Sequence, residues 1–93
     1  MVAMGWTVYI ILCTDNSLYT GITNDVSRRF KQHAVRRGAK YFRGRLPKQV
    51  IYYEPGHNRS SASKREREIK NLDRLDKLRL LGSELNKITE LPL

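Results

Sequence analysis

Ninety-three residues, 40% of them hydrophobic, are enough for one domain with a modest core and too few for two. A single cysteine, Cys13, excludes an internal disulfide and a multi-cysteine zinc site, and the longest apolar run, Val8 to Cys13, is too short for a membrane span or a secretion signal. Those two features point to a reducing compartment, most simply the cytoplasm, while eighteen Lys and Arg against nine Asp and Glu give a net charge of +9 and a pI near 10.1, which points to a polyanionic partner.

The first expected strand runs from Thr7 to Thr14, Asp15-Asn16-Ser17 supplies turn chemistry, and Leu18 to Thr23 returns. Whether Tyr9 and Tyr19 share a face depends on register. A two-residue turn at Asp15-Asn16 pairs Leu12 with Tyr19 and leaves Tyr9 on the other face. A three-residue turn, Asp15 to Ser17, pairs Cys13 with Tyr19 and Tyr9 with Thr23, and then both tyrosines look the same way. Cys13 in this β-rich run reads as a buried, inert thiol.

Asp25 is the candidate N-cap of a first helix in which Val26, Phe30 and either His33 or Ala34 line one side at helical spacing, and which stops near Gly38. Arg29 and His33 are four apart on one side of it. An arginine in a charged helix is ordinarily part of a solvated face; aimed at a phosphate, it supplies a rigid two-pronged donor. A histidine beside it is either a satisfied structural group or a proton carrier.

Between Asp25 and Glu54 there is no acid, and the interval holds Arg28, Arg29, Lys31, Arg36, Arg37, Lys40, Arg43, Arg45 and Lys48. These nine cations equal the whole net charge, since the other nine basic residues balance the nine acids. One-signed charge over such a length repels itself unless a polyanion neutralises it, so nucleic acid is the expected partner. An anionic membrane surface fits less well, because the segment has no apolar face. Gly38 to Pro47 reads as a surface loop, and Tyr41 and Phe42 within it suit base or sugar contacts.

Gln49 to Glu54 is a third strand, ended by Pro55-Gly56-His57-Asn58; His57 has no evident partner. Ser60 or Ser61 caps a second helix through Leu72, and a third helix runs from about Asp73 to Leu81. The last residues, 83-SELNKITELPL-93, either extend this helix weakly or fray. The order ββαβαα gives one small α/β (α+β) domain over 1–93, with its core at about 7–81 and a tail at 82–93. Its expected form is a three-stranded mixed or antiparallel sheet flanked by about three helices.

In 60-SSASKREREIKNL-72 the apolar positions Ala62, Ile69 and Leu72 define the inward face. Glu66 falls on that face, four after Ala62 and three before Ile69, while Glu68 points about 200° away. A carboxylate so placed near cations is a candidate metal ligand. Ordinary structural roles also fit: a capping box from Ser63 to Glu66, or an ion pair from Glu66 to Lys70.

A tyrosine on the first strand (Thr7-Val8-Tyr9), Tyr19-Thr20-Gly21 on the second, Arg29 and His33 in DVSRRFKQH, and Glu66 in KREREIKNL together resemble the GIY-YIG nuclease superfamily. The loop RGAKYFRGRLP resembles that of its small stand-alone bacterial members, the YhbQ-like group. The likeness spans about Val8 to Leu81. Thr7-Val8 stands where the family has Gly-Ile, and Thr20 where it has Ile.

The resemblance implies the three-residue turn, with both tyrosines, Arg29, His33 and Glu66 gathered around a phosphate. It further implies a metal-dependent endonuclease acting on DNA, and RNA in the wider sense. Glu66 would bind one Mg²⁺ or Mn²⁺, Arg29 the phosphate, and Tyr9 or Tyr19 with His33 the attacking water. Gly21 would let the backbone approach the substrate, and the basic segment would lower a tyrosine pKa toward neutrality. Arg28, Lys31, Arg36, Arg37, Lys40, Tyr41, Arg43 and Arg45 would bind the nucleic acid. A basic nucleic-acid-binding module with this fold and little or no catalysis is the alternative; it needs the cations but no Glu66. A protein-interaction domain meeting an acidic partner explains the charge alone. No obligate protein partner or membrane is implied.

Overall fold

The computed structural model describes residues 5–35 and 46–91. In chain order it contains β1 (Trp6–Cys13), β2 (Leu18–Thr23), α1 (Val26–Ala34), β3 (Pro47–His57), α2 (Arg59–Lys70), α3 (Arg74–Leu80) and a 3₁₀ turn (Ile88–Glu90). The three strands form one antiparallel sheet in the order β2-β1-β3. The expected α+β architecture is therefore present, and of its two sheet options the antiparallel one is realised.

The central position of β1 accounts for its unbroken apolar run, because such a strand is covered on both faces. Tyr9, Ile11 and Cys13 point to one face, into a cluster with Val26 and Val50 against which Tyr19, Phe30 and Tyr53 pack. Val8 and Ile10 point to the other, into a cluster with Tyr52, Ala62 and Ile69. Helix α1 thus covers the first face and α2 the second. Cys13 is fully buried, as its apolar setting predicts.

The hairpin turn is three residues long but lies one residue earlier than expected. Cys13 N–H donates to Ser17 O (3.0 Å) and Asn16 N–H to Cys13 O (2.9 Å), so the loop is Thr14 to Asn16. Asn16 takes the left-handed conformation (φ 66°), which asparagine tolerates better than most residues. Asp15 Oδ1 braces the turn by accepting from Ser17 N–H (3.0 Å). Tyr19 consequently pairs with Ile11, not Cys13, and Tyr9 with Gly21, not Thr23. A shift of two residues preserves facing, so the two tyrosines share one face as expected.

Strand β3 does not end at Pro55. It runs on to His57 through an irregularity, Trp6 pairing with His57 and Val8 with Glu54, with Gly56 in the left-handed conformation (φ 85°). A second irregularity at Ile51 puts Val50 and Tyr52 on opposite faces.

Asp25 caps α1 as expected, its Oδ1 accepting from Arg28 N–H (3.1 Å). Helix α1 ends at Ala34 with Val35 as its C-cap, short of the stop expected near Gly38, and Pro47, expected in the loop, opens β3; residues 36–45 lie outside the described residues. Helix α2 is capped by Asn58 rather than Ser60 or Ser61; Ser61 is the third helical residue, returning a bond to Asn58 N–H in a capping box. The expected Ser63–Glu66 box is therefore not the one used. Asp73 caps α3.

Through Leu91, the C-terminal stretch neither extends α3 nor frays. Asn86 Oδ1 accepts from Tyr53 N–H (3.1 Å), its Nδ2 donates to Ile51 O (3.2 Å) and Leu81 O (3.0 Å), and Lys87 N–H donates to Tyr53 O (2.7 Å). Ile88 and Leu91 pack against the core, so the fold reaches beyond residue 81 and covers the outer edge of β3.

Candidate active site

The site begins with a missing side chain. Gly21 lies directly across from Tyr9, and a Cβ there would stand 2.7 Å from Tyr9 Oη, 2.8 Å from Tyr9 Cζ and 2.9 Å from Tyr19 Cε2. Only glycine leaves room for both phenol rings on this face. That steric demand comes from the tyrosines, a nearer cause than the substrate approach expected of Gly21.

Helix α1 closes the site from above. His33 is fully buried, with Nε2 3.1 Å from Tyr9 Oη. The Tyr19 ring meets the His33 ring edge-on at 5.3 Å, and the two tyrosine rings are 6.1 Å apart. One helical turn earlier stands Arg29, half-buried, its guanidinium donating to Gln32 Oε1 at 3.1 Å. The spacing of four that placed Arg29 and His33 on one side is thus realised.

The electrostatics run opposite to the expected lowering of a phenol. Burial raises the pKa of Tyr9 strongly, the nearby Tyr19 adds to this, and Arg29 offsets only part of it. Tyr19 is raised too, first by burial and then by the negative charge of Glu66, against the pull of Arg29. His33 is pushed down to about 4 by burial and then by Arg29's charge, so its imidazole is neutral at neutral pH. Two protonated phenols thus face a neutral imidazole.

Glu66 arrives by a different route from the other four. It stands on α2, whose Ala62 and Ile69 pack on the opposite sheet face, and it reaches Tyr19 electrostatically past the edge strand β2. It is 22% exposed and forms the foreseen ion pair with Lys70, at 3.6 Å. Lys70 also lines a cavity of about 340 Å³ with Leu18, Tyr19, Thr20 and Lys77. Glu68 points to solvent, as expected, and pairs with Arg65. Among the described residues no three His, Cys, Asp or Glu converge as a ready-made metal cage. A lone carboxylate suits Mg²⁺, which keeps several waters and takes further oxygens from a phosphate.

Of the expected nucleic-acid contacts, Arg28 and Lys31 are exposed on α1. Arg36, Arg37, Lys40, Tyr41, Arg43 and Arg45 lie outside the described residues. Arg28 and Arg29 line a second cavity, of about 280 Å³, with Trp6, Ile22, Thr23, Gln32 and Arg59.

Sequence reading missed a second polar cluster, on the other sheet face. Tyr52 Oη donates to Glu54 Oε1 (2.5 Å), His57 Nε2 lies 2.7 Å from Glu54 Oε2, and Arg65 Nε donates to both Glu54 oxygens (3.2 Å). His57 Nδ1 lies 2.9 Å from Ser61 Oγ. Burial, then the bond to Glu54, raises Tyr52 to about 12. Burial alone would lower Arg65, but its bonds and charge contacts with Tyr52 and Glu54 raise it overall. The cluster ties α2 to β3. The usable signal was that Glu54 is the first acid after Asp25.

With this geometry in place, comparison with known proteins is specific. The family described as the GIY-YIG catalytic domain matches residues 5–79. The chain is 48% identical over 82 residues to UPF0213 protein HQ_3675A of Haloquadratum walsbyi, covering 86% of this chain and 92% of that one. It is 45% identical over 80 residues to a UPF0213 protein of Cronobacter sakazakii, covering 86% and 84%. The solution NMR structure of UPF0213 protein BH0048 from Bacillus halodurans superposes with a TM-score of 0.55 at 40% identity, covering 89% of this chain and 88% of that one.

Proposed function

The chain belongs to the GIY-YIG catalytic-domain family, and from that premise we propose that it is a metal-dependent endonuclease hydrolysing phosphodiester bonds, mainly of DNA. The observation that carries this reading is the 3.1 Å approach of Tyr9 Oη to the Nε2 of a neutral, buried His33, with Arg29 one turn away. A standing phenolate is disfavoured at Tyr9, so the reading assigns it a relay instead. As water attacks phosphorus, Tyr9 oxygen takes the water's proton while its own moves to His33 Nε2, in the tautomer that carries hydrogen on Nδ1. A bound phosphodiester brings negative charge against the imidazole and raises its proton affinity. Arg29 holds the phosphate and offsets charge developing on it, and Tyr19 orients the water or the phosphate.

Glu66 would hold one Mg²⁺ or Mn²⁺, leaving Lys70 to solvent or to the substrate; when bound, the metal supplies Lewis-acid polarisation of the phosphate and eases departure of the leaving oxygen. No helix among the described residues is long and apolar enough to cross a membrane, and nucleic acid in the cytoplasm is the partner proposed.

The Glu66–Lys70 ion pair also favours a second reading, a nucleic-acid-binding module with little turnover. The two are separated by a cleavage assay on labelled single-stranded, duplex and branched DNA with Mg²⁺ or Mn²⁺. On the enzyme reading the wild type cuts, while Glu66→Ala cuts at least ~100-fold more slowly and binds as well or better. Equal cutting by both proteins would remove Glu66 from the site. Salt-sensitive binding without cutting by either would install the second reading.

A further inference from the structure

The outer face of α2 carries Arg59, Ser60, Ser63, Lys64 and Arg67, which together line a cavity of about 540 Å³. Their spacing puts them on one strip of the helix. Arg59 is shared with the 280 Å³ cavity that contains Arg28 and Arg29, so the two hollows form one cationic path leading away from the candidate site. The acids that would neutralise it are engaged elsewhere: Glu68 and Glu54 with Arg65, and Glu66 with Lys70. Among the described residues the side chains of Arg28, Lys64 and Arg67 have no ion-pair or hydrogen-bond partner. Arg59 is held over the Trp6 ring at 5.4 Å, which orders its guanidinium beside the groove.

We propose that this path binds the backbone of the nucleic acid on one flank of the bond being cut, with Arg59, Lys64 and Arg67 contacting successive phosphates. The inference rests on the nuclease reading and adds to it a footprint outside the α1 segment. From Arg59 to Arg67 the helix rises about 12 Å, the rise of three to four nucleotides at ~3.4 Å each. Serine hydroxyls interleaved with cations are the donor set that phosphate oxygens take. The strip holds no apolar side chain, so a membrane surface, which would need one to insert, fits it poorly.

The test is fluorescence anisotropy with a labelled duplex of about 20 base pairs, read from ~50 to ~200 mM salt. Wild type is compared with R59A/K64A/R67A and with an equal-charge control, R74A/R79A/K87A. All six positions are exposed, so both variants should keep the fold, which circular dichroism verifies. The proposal expects the first triple to bind at least ~10-fold more weakly, with a log Kd against log salt slope shallower by roughly 2 to 3, and the control to stay within about twofold of wild type. Equal losses in both triples, or a first triple that binds like wild type, would overturn it while leaving the nuclease reading in place. Failure of the wild type itself to bind would remove both, and is seen separately in its own arm.

Discussion

A methyl group at position 21 has nowhere to go. The groups it would strike are a phenol hydroxyl and its ring carbon, and Tyr9 is buried, so the ring cannot swing into solvent. Gly21→Ala should therefore lose about 1 to 3 kcal/mol of stability in urea unfolding and separate Tyr9 from His33. An unchanged midpoint would mean that the strand yields freely there. His33 offers a pH test whose sign is fixed. Its folded pKa, about 4, lies below the reference value of 6.5, so between those pH values the unfolded chain binds the extra proton. Stability contributed by neutral burial is complete above pH ~6.5 and falls as pH drops toward ~4, by up to ~3 kcal/mol. His33→Gln should be less stable at pH 7.5 but lose less than the wild type over that window. Parallel pH curves for the two proteins would assign the acid sensitivity to another group.

At the scale of elements, what was legible in the sequence was local. Apolar and β-branched runs bounded by turn residues marked the strands, Asp25 the start of α1, and the i,i+4 spacing of Arg29 and His33 put them on one helix side. Registers and faces set by distant packing were not legible. Glu54 and His57 would face oppositely in a regular strand, and it is the irregularity at Pro55-Gly56 that brings both onto the α2 side. His57 looked partnerless for that reason. The sign of the tyrosine pKa shifts was missed likewise: a count of nearby cations favours lowering, while burial, which depends on the whole sheet, prevails. Asn86 sits in an unpatterned polar stretch, yet it satisfies main-chain groups of Ile51, Tyr53, Leu81 and Ile88. Asn86→Ala should cost roughly 1 to 3 kcal/mol and expose the β3 edge, seen as faster amide exchange at Tyr53. Unaltered exchange there would show that the Lys87–Tyr53 main-chain bond suffices alone.

Across the whole molecule, seven of the nine acids do local work. Asp25 and Asp73 cap helices, Glu54, Glu66, Glu68 and Asp76 pair with neighbouring cations, and Asp15 closes the hairpin. The chain as a whole still carries a formal surplus of nine positive charges, which repel one another. Repulsion among surface cations acts across solvent and is screened within ~10 Å at 0.1 M salt, whereas short ion pairs such as Arg65–Glu54 are screened much less. The melting temperature should accordingly rise by several degrees between about 10 and 200 mM salt, about 1 kcal/mol of relieved repulsion shifting a domain of this size by roughly 4 to 8 °C. A polyanion that occupies the cationic surface should produce a larger rise at low salt, because it binds only the arrangement of charges that the folded sheet and helices hold together. That extra rise should disappear as salt displaces the polyanion. A melting temperature that falls with salt would instead mean that ion pairs dominate the surface, and would remove self-repulsion as the reason for reading a polyanionic partner from the charge.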